Sequence, residues 1–355
     1  MTGRIEDTGG RDAAGRAEDT GGRDAAGRAE DAGGQALIGR VEVPTRMLVH
    51  ALVREDGTVS TGELYGVADL LGMSDQQVRL CIKRLVAEGR FTHEGRGRKA
   101  VLYATEDTVR ALAPHPGFLR HAFRQDAGLA PWDGVWHLAA FALPETERAA
   151  RDTLRDTLVH LGGAPLQGGL YVSANPWEPY VEEAADHLGV RDALTLLTTS
   201  DLRRGEHHTP AGLSRALWPH DEIAARYHRL AAVARPRLAR LTATEPLEPA
   251  AALTLAVELA AELGRAMDPD PLLPPELLPA PWPGREARAL VARCWEALAV
   301  RTETTREDPP VLFRAYAQVA REAVDGVRER AQADGSAAAR SSARAAASGV
   351  PSSAL

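Results

Sequence analysis

The chain has 355 residues, of which 44% are hydrophobic and 26% charged, and its formal net charge at pH 7 is -7. This length and composition favour a soluble protein of about two or three domains. Its cysteines, Cys81 and Cys294, lie far apart and outside any C-x-x-C pair, which argues against a disulfide framework or a zinc ribbon and favours a reduced, cytoplasmic protein. The chain also lacks a run of about eighteen apolar residues and a basic-then-apolar start, so neither a membrane span nor a signal peptide is expected.

Both ends of the chain predict disorder. Residues 3–35 repeat a unit of twelve residues (GRIEDTGGRDAA, GRAEDTGGRDAA, GRAEDAGGQ) that is rich in glycine and charge and has almost no large apolar group. Such a unit cannot bury a core. Residues 331–355 are rich in Ala, Ser and Gly and show no apolar periodicity. We therefore predict a disordered repeat tail over 1–40 and a second disordered tail over 331–355.

Two helices are predicted at the start of the first folded region, 41–113. PTRMLVHALVRED has Pro44 at a helix-starting position, and STGELYGVADLLG has Ser60 and Glu63 in capping-box spacing and stops at Gly72. In each segment the large apolar residues fall on one face, so both helices are expected to pack inward. These residues are Met47, Leu48, Ala51 and Leu52 in the first helix, and Leu64, Val67, Ala68 and Leu71 in the second.

A third helix is predicted directly after them, because Ser74 and Gln77 repeat the capping-box spacing and the pattern ends near Gly89. Its inward face consists of Val78, Cys81, Ile82 and Leu85. The opposite face and its flank carry side chains that suit base edges and phosphates: Gln76, Arg79 and Lys83, with Gln77 and Arg84 beside them. A plain solvated helix face is the alternative.

A basic hairpin follows the third helix. FTHEGRGRKAVLYAT has strand-like runs on both sides of Gly-Arg-Gly, and its tip carries Arg96, Arg98 and Lys99. From Met73 to Lys99 there are seven basic and three acidic residues, a local balance of +4. The order of helix, tight turn, helix and basic hairpin predicts a winged helix-turn-helix. The predicted DNA-binding residues are Ser74, Gln76, Gln77, Arg79, Lys83, Arg84, Arg96, Arg98 and Lys99.

Further motifs carry a family resemblance. They are PWDGVWHLAAFALPETERAARDTLRDTLVHLGGAPLQGGLYVSANPW, LWPHDEIAARYHRL and DPDPLLPPELLPAPWPG. With the predicted winged helix they cover most of residues 44–305, in the order found in the PaaX-type transcriptional regulators, which this chain resembles. The resemblance implies an α+β multidomain protein with a winged-helix DNA-binding domain, a central ferredoxin-like domain similar to Cas2, and a helical C-terminal domain. It also implies a repressor that is released by an acyl-CoA such as phenylacetyl-CoA.

The middle of the chain, 130–206, predicts alternating strands and helices without help from the family. VWHLAAFAL, PLQGGLYVSA and ALTLLTT are strand candidates, and the segments between them, one of which opens at Pro144, are helix candidates. This alternation predicts an α+β sandwich. The basic face formed by Arg148, Arg151 and Arg155 is interspersed with acidic residues, so we interpret it as a solvated surface rather than as a nucleic-acid or subunit contact.

A metal-dependent nuclease is the competing enzyme hypothesis for this central region. Such an enzyme would need an Asp at the end of the first strand, where it could hold a divalent ion. That strand ends in Leu143 and Pro144, and Asp133 lies before it, where a turn or capping role is expected. We therefore predict no catalytic residues, no metal and no cofactor.

The remaining region, 213–330, is predicted to be helical. Its Pro-rich segment DPDPLLPPELLPAPWPG has spaced Leu residues and Trp282, which favours fastening across the protein's own helices over service as an extended ligand for a partner. His207, His208, His220 and His228 show no metal-ligand spacing. A basic group near the domain junction is the predicted site for the phosphates of a CoA effector, and it consists of Arg203, Arg204, His207 and His208.

The sequence as a whole predicts a cytoplasmic DNA-binding regulator whose partners are double-stranded operator DNA and an acyl-CoA effector. We expect a homodimer, because one winged helix contacts too few base pairs for useful specificity. An architectural nucleic-acid-binding protein without an effector is the alternative from another class.

Overall fold

The computed structural model describes residues 41–112, 116–303, 310–318 and 320–321. The two predicted tails lie outside these residues. Helices dominate the described part, and they accompany two antiparallel sheets, one of three strands and one of four. No helix within the described ranges combines the length and the apolar character that crossing a membrane requires.

The N-terminal region consists of helices around a small sheet. In chain order its elements are α1 (Thr45–Ala51), β1 (Thr58–Ser60), α2 (Thr61–Leu70), α3 (Asp75–Ala87), β2 (Phe91–Glu94), β3 (Val101–Ala104), α4 (Glu106–Leu112) and α5 (Pro116–Asp126). The sheet order is β1-β3-β2 with antiparallel pairing throughout. The three helices and the hairpin predicted from the sequence are thus confirmed as elements.

Local sequence explains where α3 begins and which face it buries. Ser74 and Gln77 form the predicted capping box, in which each satisfies a backbone N–H of the other. Val78 and Leu85 are buried, while Cys81 and Ile82 are half-buried on the same side. Helix α3 therefore presents the rest of its circumference to solvent.

The central region has the order β-α-β-β-α-β, which is that of ferredoxin-like folds. Its elements are β4 (Trp136–Phe141), α6 (Arg148–His160), β5 (Ala164–Gln167), β6 (Leu170–Ser173), α7 (Glu178–Leu188) and β7 (Leu194–Thr199). The antiparallel sheet has the order β5-β6-β4-β7. One face of this sheet packs on α6 and α7, and the other packs on the Pro-rich segment and the helix that follows β7.

The prediction of PLQGGLYVSA as one strand is wrong. The segment folds into two strands, β5 and β6, which pair with each other across Gly168 and Gly169. Both glycines have positive φ, at 46° and 89°, which a continuous strand of L-residues would not adopt. A Cβ atom on Gly169 would also lie 2.7 Å from the Phe141 carbonyl oxygen. The Gly-Gly pair is therefore a hairpin turn.

The C-terminal region is helical, as predicted. Its helices are α8 (Pro210–Leu217), α9 (His220–Thr242), α10 (Pro249–Met267) and α11 (Pro283–Glu303), followed by a helix over 311–318. The Pro-rich segment 268–284 runs from the end of α10 into the first residues of α11, and its Leu272, Leu273 and Leu277 are buried. Leu272 packs in the cluster of the N- and C-terminal helices, whereas Leu273 and Leu277 pack against the central sheet and α8. The segment is therefore held within the protein, as predicted, but on a sheet as well as on helices.

One hydrophobic cluster joins the N-terminal and C-terminal regions. It contains Leu48, Leu64 and Val78 of the first three helices together with Tyr227 of α9 and Trp295 of α11. Helix α10 packs directly against α2. A displacement of the C-terminal helices would therefore be transmitted through packed side chains to the helices that precede α3.

Candidate nucleic-acid interface

Helix α3 presents a polar face at the protein surface. Gln76, Arg79, Lys83 and Arg84 are all exposed, opposite the buried Val78 and Leu85. The Nε atom of Arg79 donates to the carbonyl oxygen of Asp75 at 3.3 Å, one turn earlier in the helix. This hydrogen bond orients the side chain and leaves the terminal nitrogens of the guanidinium to meet another group.

Ser74 and Gln77, which were predicted both to cap α3 and to bind DNA, are exposed and form the cap. The Gln77 Oε1 atom accepts from the Ser74 backbone N–H at 2.8 Å, and the Ser74 Oγ atom accepts from the Gln77 N–H at 3.3 Å. The amide of Gln77 is thus turned back onto the start of its own helix. We assign these two residues to the cap, where they fix the start of α3, and omit them from the proposed base-contacting set.

The opposite end of α3 is tied to α1. Arg46 donates to both carboxylate oxygens of Glu88, at 3.1 and 2.6 Å, and Glu88 is the C-cap residue of α3. The hydrogen bond from Arg46 lowers the pKa of the Glu88 carboxyl below its ordinary value. The carboxylate is therefore ionised at neutral pH, and the pair holds the end of α3 against α1.

The β2–β3 hairpin carries the second basic group. Residues 95–100 form the hairpin tip. Gly95 and Gly97 have φ of 86° and 63°, and Arg96, Arg98 and Lys99 between and after them are exposed. Positive φ at both positions explains why glycine flanks Arg96.

The basic residues of α3 and the hairpin tip differ from the arginines of α6 in their pairing. Within the described part of the chain, Lys83, Arg84, Arg96 and Lys99 form no ion pair. On α6, in contrast, the acidic partners Glu145, Asp152 and Asp156 lie within 4 Å of the basic side chains of Arg148, Arg151 and Arg155. The solvated interpretation of α6 agrees with this pairing, and the α3 and hairpin side chains are left available for an anionic partner.

The basic group predicted for CoA phosphates lies on an exposed turn after β7. Arg203, Arg204, His207 and His208 are all exposed, and Arg204 pairs with His207 through a backbone bridge. The Arg203 guanidinium donates to both carboxylate oxygens of Asp201, at 2.8 and 2.9 Å. An anion bound by Arg203 would have to compete with this carboxylate.

An apolar cavity of about 390 Å³ lies elsewhere, between α1, α4 and the segment that begins at Val311. Burial lowers the pKa of His50 in its wall, so this imidazole is neutral at pH 7. The described lining consists of Pro44, Arg46, Met47, His50, Ala51, Val53, Val109, Val311 and Leu312. Such a lining suits an acyl or aryl group better than a phosphate.

Carboxylates in the central region have structural partners. The Oδ1 atom of Asp133 accepts from the backbone N–H of Val135 at 2.9 Å, which is the turn role expected of it. The Nδ1 atom of His137 lies 2.6 Å from a carboxylate oxygen of Glu178. Over the described ranges, no three His, Cys, Asp or Glu side chains are grouped so that they could hold a metal ion. His220, one of the four histidines considered above, is buried against the Ser214 hydroxyl at 2.9 Å.

The described part of the chain thus combines an N-terminal helical unit that has an exposed basic face, a ferredoxin-like region and a helical C-terminal region. Residues 129–212 match the family model described as the PaaX protein central Cas2-like domain, and residues 218–306 match that of the PaaX-like protein C-terminal domain. Together with the E. coli relative described next, these two matches support a PaaX-type regulator.

Two individual proteins are also similar to this chain. The chain is 28% identical over 261 residues to the transcriptional repressor PaaX of Escherichia coli (strain K12), an alignment that covers 70% of this chain and 77% of that protein. It is also similar to the solved structure of an uncharacterized protein from Mycobacterium tuberculosis, with 24% identity and a TM-score of 0.42, over 68% of this chain and 89% of the other.

Proposed function

We propose that the protein is a transcriptional repressor that binds double-stranded operator DNA through a winged helix-turn-helix, in which α2 and α3 form the helix pair and the β2–β3 hairpin is the wing. The observation that carries the proposal is the exposed face of α3, where Gln76, Arg79 and Lys83 project away from the core. The E. coli relative, a repressor by its name, supports the sign of regulation.

The residue types suggest a division of roles on that surface. Gln can form two hydrogen bonds with an adenine edge and Arg two with a guanine edge, so Gln76 and Arg79 are proposed to contact bases. Lys83, Arg84, Arg96 and Lys99 are proposed to contact phosphates, because each is an exposed cation without an acidic partner in the described residues. Phosphate contacts position the protein on the duplex, and base contacts supply its sequence preference.

A homodimer is proposed as the binding form, since a single recognition helix contacts only a few base pairs. We expect footprinting to show two half-sites in inverted orientation, separated centre to centre by about 10 base pairs or a multiple of that spacing. Light scattering of the protein with and without a synthetic operator measures the number of chains per site. A single protected half-site bound by one chain would contradict the dimer.

The proposed effector is an acyl-CoA. Support for it comes from the family resemblance, from the basic turn at 203–208 and from the apolar cavity on α1, which would suit CoA phosphates and an acyl group respectively. The cluster shared by the N-terminal and C-terminal helices is a route by which binding could alter α2 and α3. An effector releases DNA only to the extent that it prefers the DNA-free conformation.

We expect a CoA thioester to weaken operator binding roughly 5- to 150-fold, which corresponds to a coupling free energy of about 1–3 kcal/mol. By reciprocity, operator DNA must weaken binding of the thioester by the same factor. Calorimetric titration of aryl- and alkyl-CoA esters, with and without operator, measures both. Two variants locate the site: Arg204→Ala removes a cation from the basic turn, and Met47→Trp fills the cavity.

The matched control for the first variant is Arg191→Ala, because Arg191 is an exposed arginine of the same region that pairs with Glu182 and Asp186. Its titration should equal that of the wild type. If no thioester binds, or if one binds equally well with and without operator, an architectural protein without an effector becomes the better proposal. Unchanged thioester binding in both Arg204→Ala and Met47→Trp would reject the two proposed locations.

A further inference from the structure

The hairpin tip does not project freely into solvent, since its backbone rests on the first turn of α2. Thr61 is only 1% exposed, and its Oγ1 atom lies 2.9 Å from the Gly97 carbonyl oxygen and 2.7 Å from that of Ala100. The Thr61 backbone N–H donates to the same Ala100 oxygen at 3.2 Å. One residue of α2 therefore holds carbonyl groups from both ends of the 3-10 turn Gly97–Lys99.

Gly62, the next residue of α2, makes this close approach possible. A Cβ atom at Gly62 would lie 2.8 Å from the Arg98 carbonyl oxygen, a backbone atom that cannot turn aside as a side chain could. The glycine does not adopt a positive φ, so its conformation alone would accept any L-residue. The neighbouring backbone of the hairpin tip is what excludes a side chain here. Gly66, one turn later in α2, would meet nothing within 4 Å.

Arg98 takes part in the same contact. Its guanidinium carbon lies 5.9 Å from the centre of the Tyr65 ring, and Tyr65 is a buried residue of α2. A cation over an aromatic face at this distance is attracted to it. Arg98 thus differs from Arg96 and Lys99, its exposed neighbours, because it has a partner within the protein.

We propose that Thr61, Gly62 and Tyr65 form a seat that positions the hairpin for DNA, and that Arg98 belongs to this seat rather than to the phosphate-contacting set. The inference rests on the proposed function as a DNA-binding repressor. Gly95 and Gly97 leave the tip conformationally permissive, so without the seat the tip would have to be ordered when DNA binds. With the seat, Arg96 and Lys99 are held in place before binding.

The test compares Gly62→Ala with its matched control Gly66→Ala. Both replace a glycine of α2 by a better helix former, but only the first inserts a methyl group into the hairpin contact. We expect Gly62→Ala to reduce DNA affinity roughly tenfold on all sequences alike. The slope of log affinity against log salt concentration should fall by the equivalent of about one or two phosphate contacts. Base preference should be unchanged. Gly66→Ala should bind DNA as the wild type does.

Hydrogen exchange of the amides of residues 95–100 in the DNA-free protein provides a readout that does not depend on DNA. These amides should exchange faster in Gly62→Ala than in Gly66→Ala. If Gly62→Ala does not fold, two variants of Thr61 provide the same test. Thr61→Val keeps the shape of the side chain and removes the hydroxyl, whereas Thr61→Ser keeps the hydroxyl. Thr61→Val should reproduce the loss of affinity and Thr61→Ser should recover it.

Three results would overturn the positioning role. They are unchanged exchange at the hairpin tip in both Gly62→Ala and Thr61→Val, faster exchange with unchanged DNA affinity, and equal losses in Thr61→Val and Thr61→Ser. A wild-type protein that binds no duplex DNA would instead overturn the proposed function itself. The two failures are distinguishable because the variants are compared only on a site that the wild type binds.

Discussion

Replacing Arg288 by alanine is expected to lower the free energy of unfolding by about 3–5 kcal/mol, because it leaves buried carboxylates without their cation. The Arg288 side chain is 5% exposed. Its Nε and Nη2 atoms each donate to a carboxylate oxygen of Asp126 at 2.7 Å, and its Nη1 atom lies 3.6 Å from Asp270. Urea denaturation of the variant and the wild type measures the loss.

The protonation states of this network agree with its hydrogen bonds. Burial raises the pKa of Tyr227 well above its ordinary value, so its hydroxyl is protonated at pH 7. It accepts from Arg288 Nη1 at 2.5 Å and donates to a carboxylate oxygen of Asp270. Asp270 in turn accepts from the Leu272 backbone N–H at 2.9 Å. Removing the guanidinium would therefore disturb Asp126, Tyr227 and Asp270, which share its hydrogen bonds and charge.

The matched control is Arg285→Ala, because Arg285 is exposed on the same helix. Its effect should stay within about 0.5 kcal/mol, as is usual for surface substitutions. If Arg288→Ala costs no more than Arg285→Ala, then water or a neighbouring side chain satisfies the carboxylates, and the network does not hold this part of the fold together.

The network joins several elements of the fold. Asp126 ends α5, Asp270 belongs to the Pro-rich segment, and Arg288 and Tyr227 come from α11 and α9. Next to Asp126, Gln125 donates to the Leu272 carbonyl oxygen at 2.9 Å. Helix α5 connects the N-terminal region to the central one, and it is held at its end by these contacts.

Much of the N-terminal region could be predicted from the sequence because its signals are local. The Ser74 and Gln77 capping box, the apolar stripe of α3 and the Gly-Arg-Gly tip each depend on a few neighbouring residues, and each has its counterpart in the structure. The exposed face of α3 followed from the same periodicity. A DNA contact by Gln77 stays a prediction, because its side chain is exposed but its amide oxygen is engaged in the cap.

What could not be predicted depends on contacts between distant segments. Periodicity shows that a face of α2 is buried but not that α10 covers it, and it marks Arg288 only as one more arginine of a helix. Gly62 is the clearest case. A glycine inside a helix pattern indicates only lower helix stability, whereas the structure shows that a Cβ atom at this position would lie 2.8 Å from the Arg98 carbonyl oxygen. The Gly168 and Gly169 turn, in contrast, did carry a local signal that the single-strand prediction overlooked.

Two substitutions on the exposed face of α3 are expected to have large effects on DNA binding. Arg79→Ala and Gln76→Ala are each expected to cost about 1–3 kcal/mol on the cognate operator and to relax base preference at one position, because each side chain is proposed to form two hydrogen bonds with a base edge. Arg79→Ala should relax the preference for a guanine, and Gln76→Ala should relax the preference for an adenine. Binding to a library of randomised sites, followed by sequencing of the bound fraction, measures both affinity and preference.

Two further variants separate base contacts from phosphate contacts. Lys83→Ala on the same face should weaken binding to all sequences alike and lower the salt slope by about one, since a phosphate contact carries no sequence information. Arg148→Ala, on the solvated surface of α6, should change neither quantity, because that arginine lies among the carboxylates of Glu145 and Asp152. If Arg79→Ala and Gln76→Ala keep both the affinity and the preference of the wild type, α3 is an ordinary solvated helix and the operator is contacted by another surface.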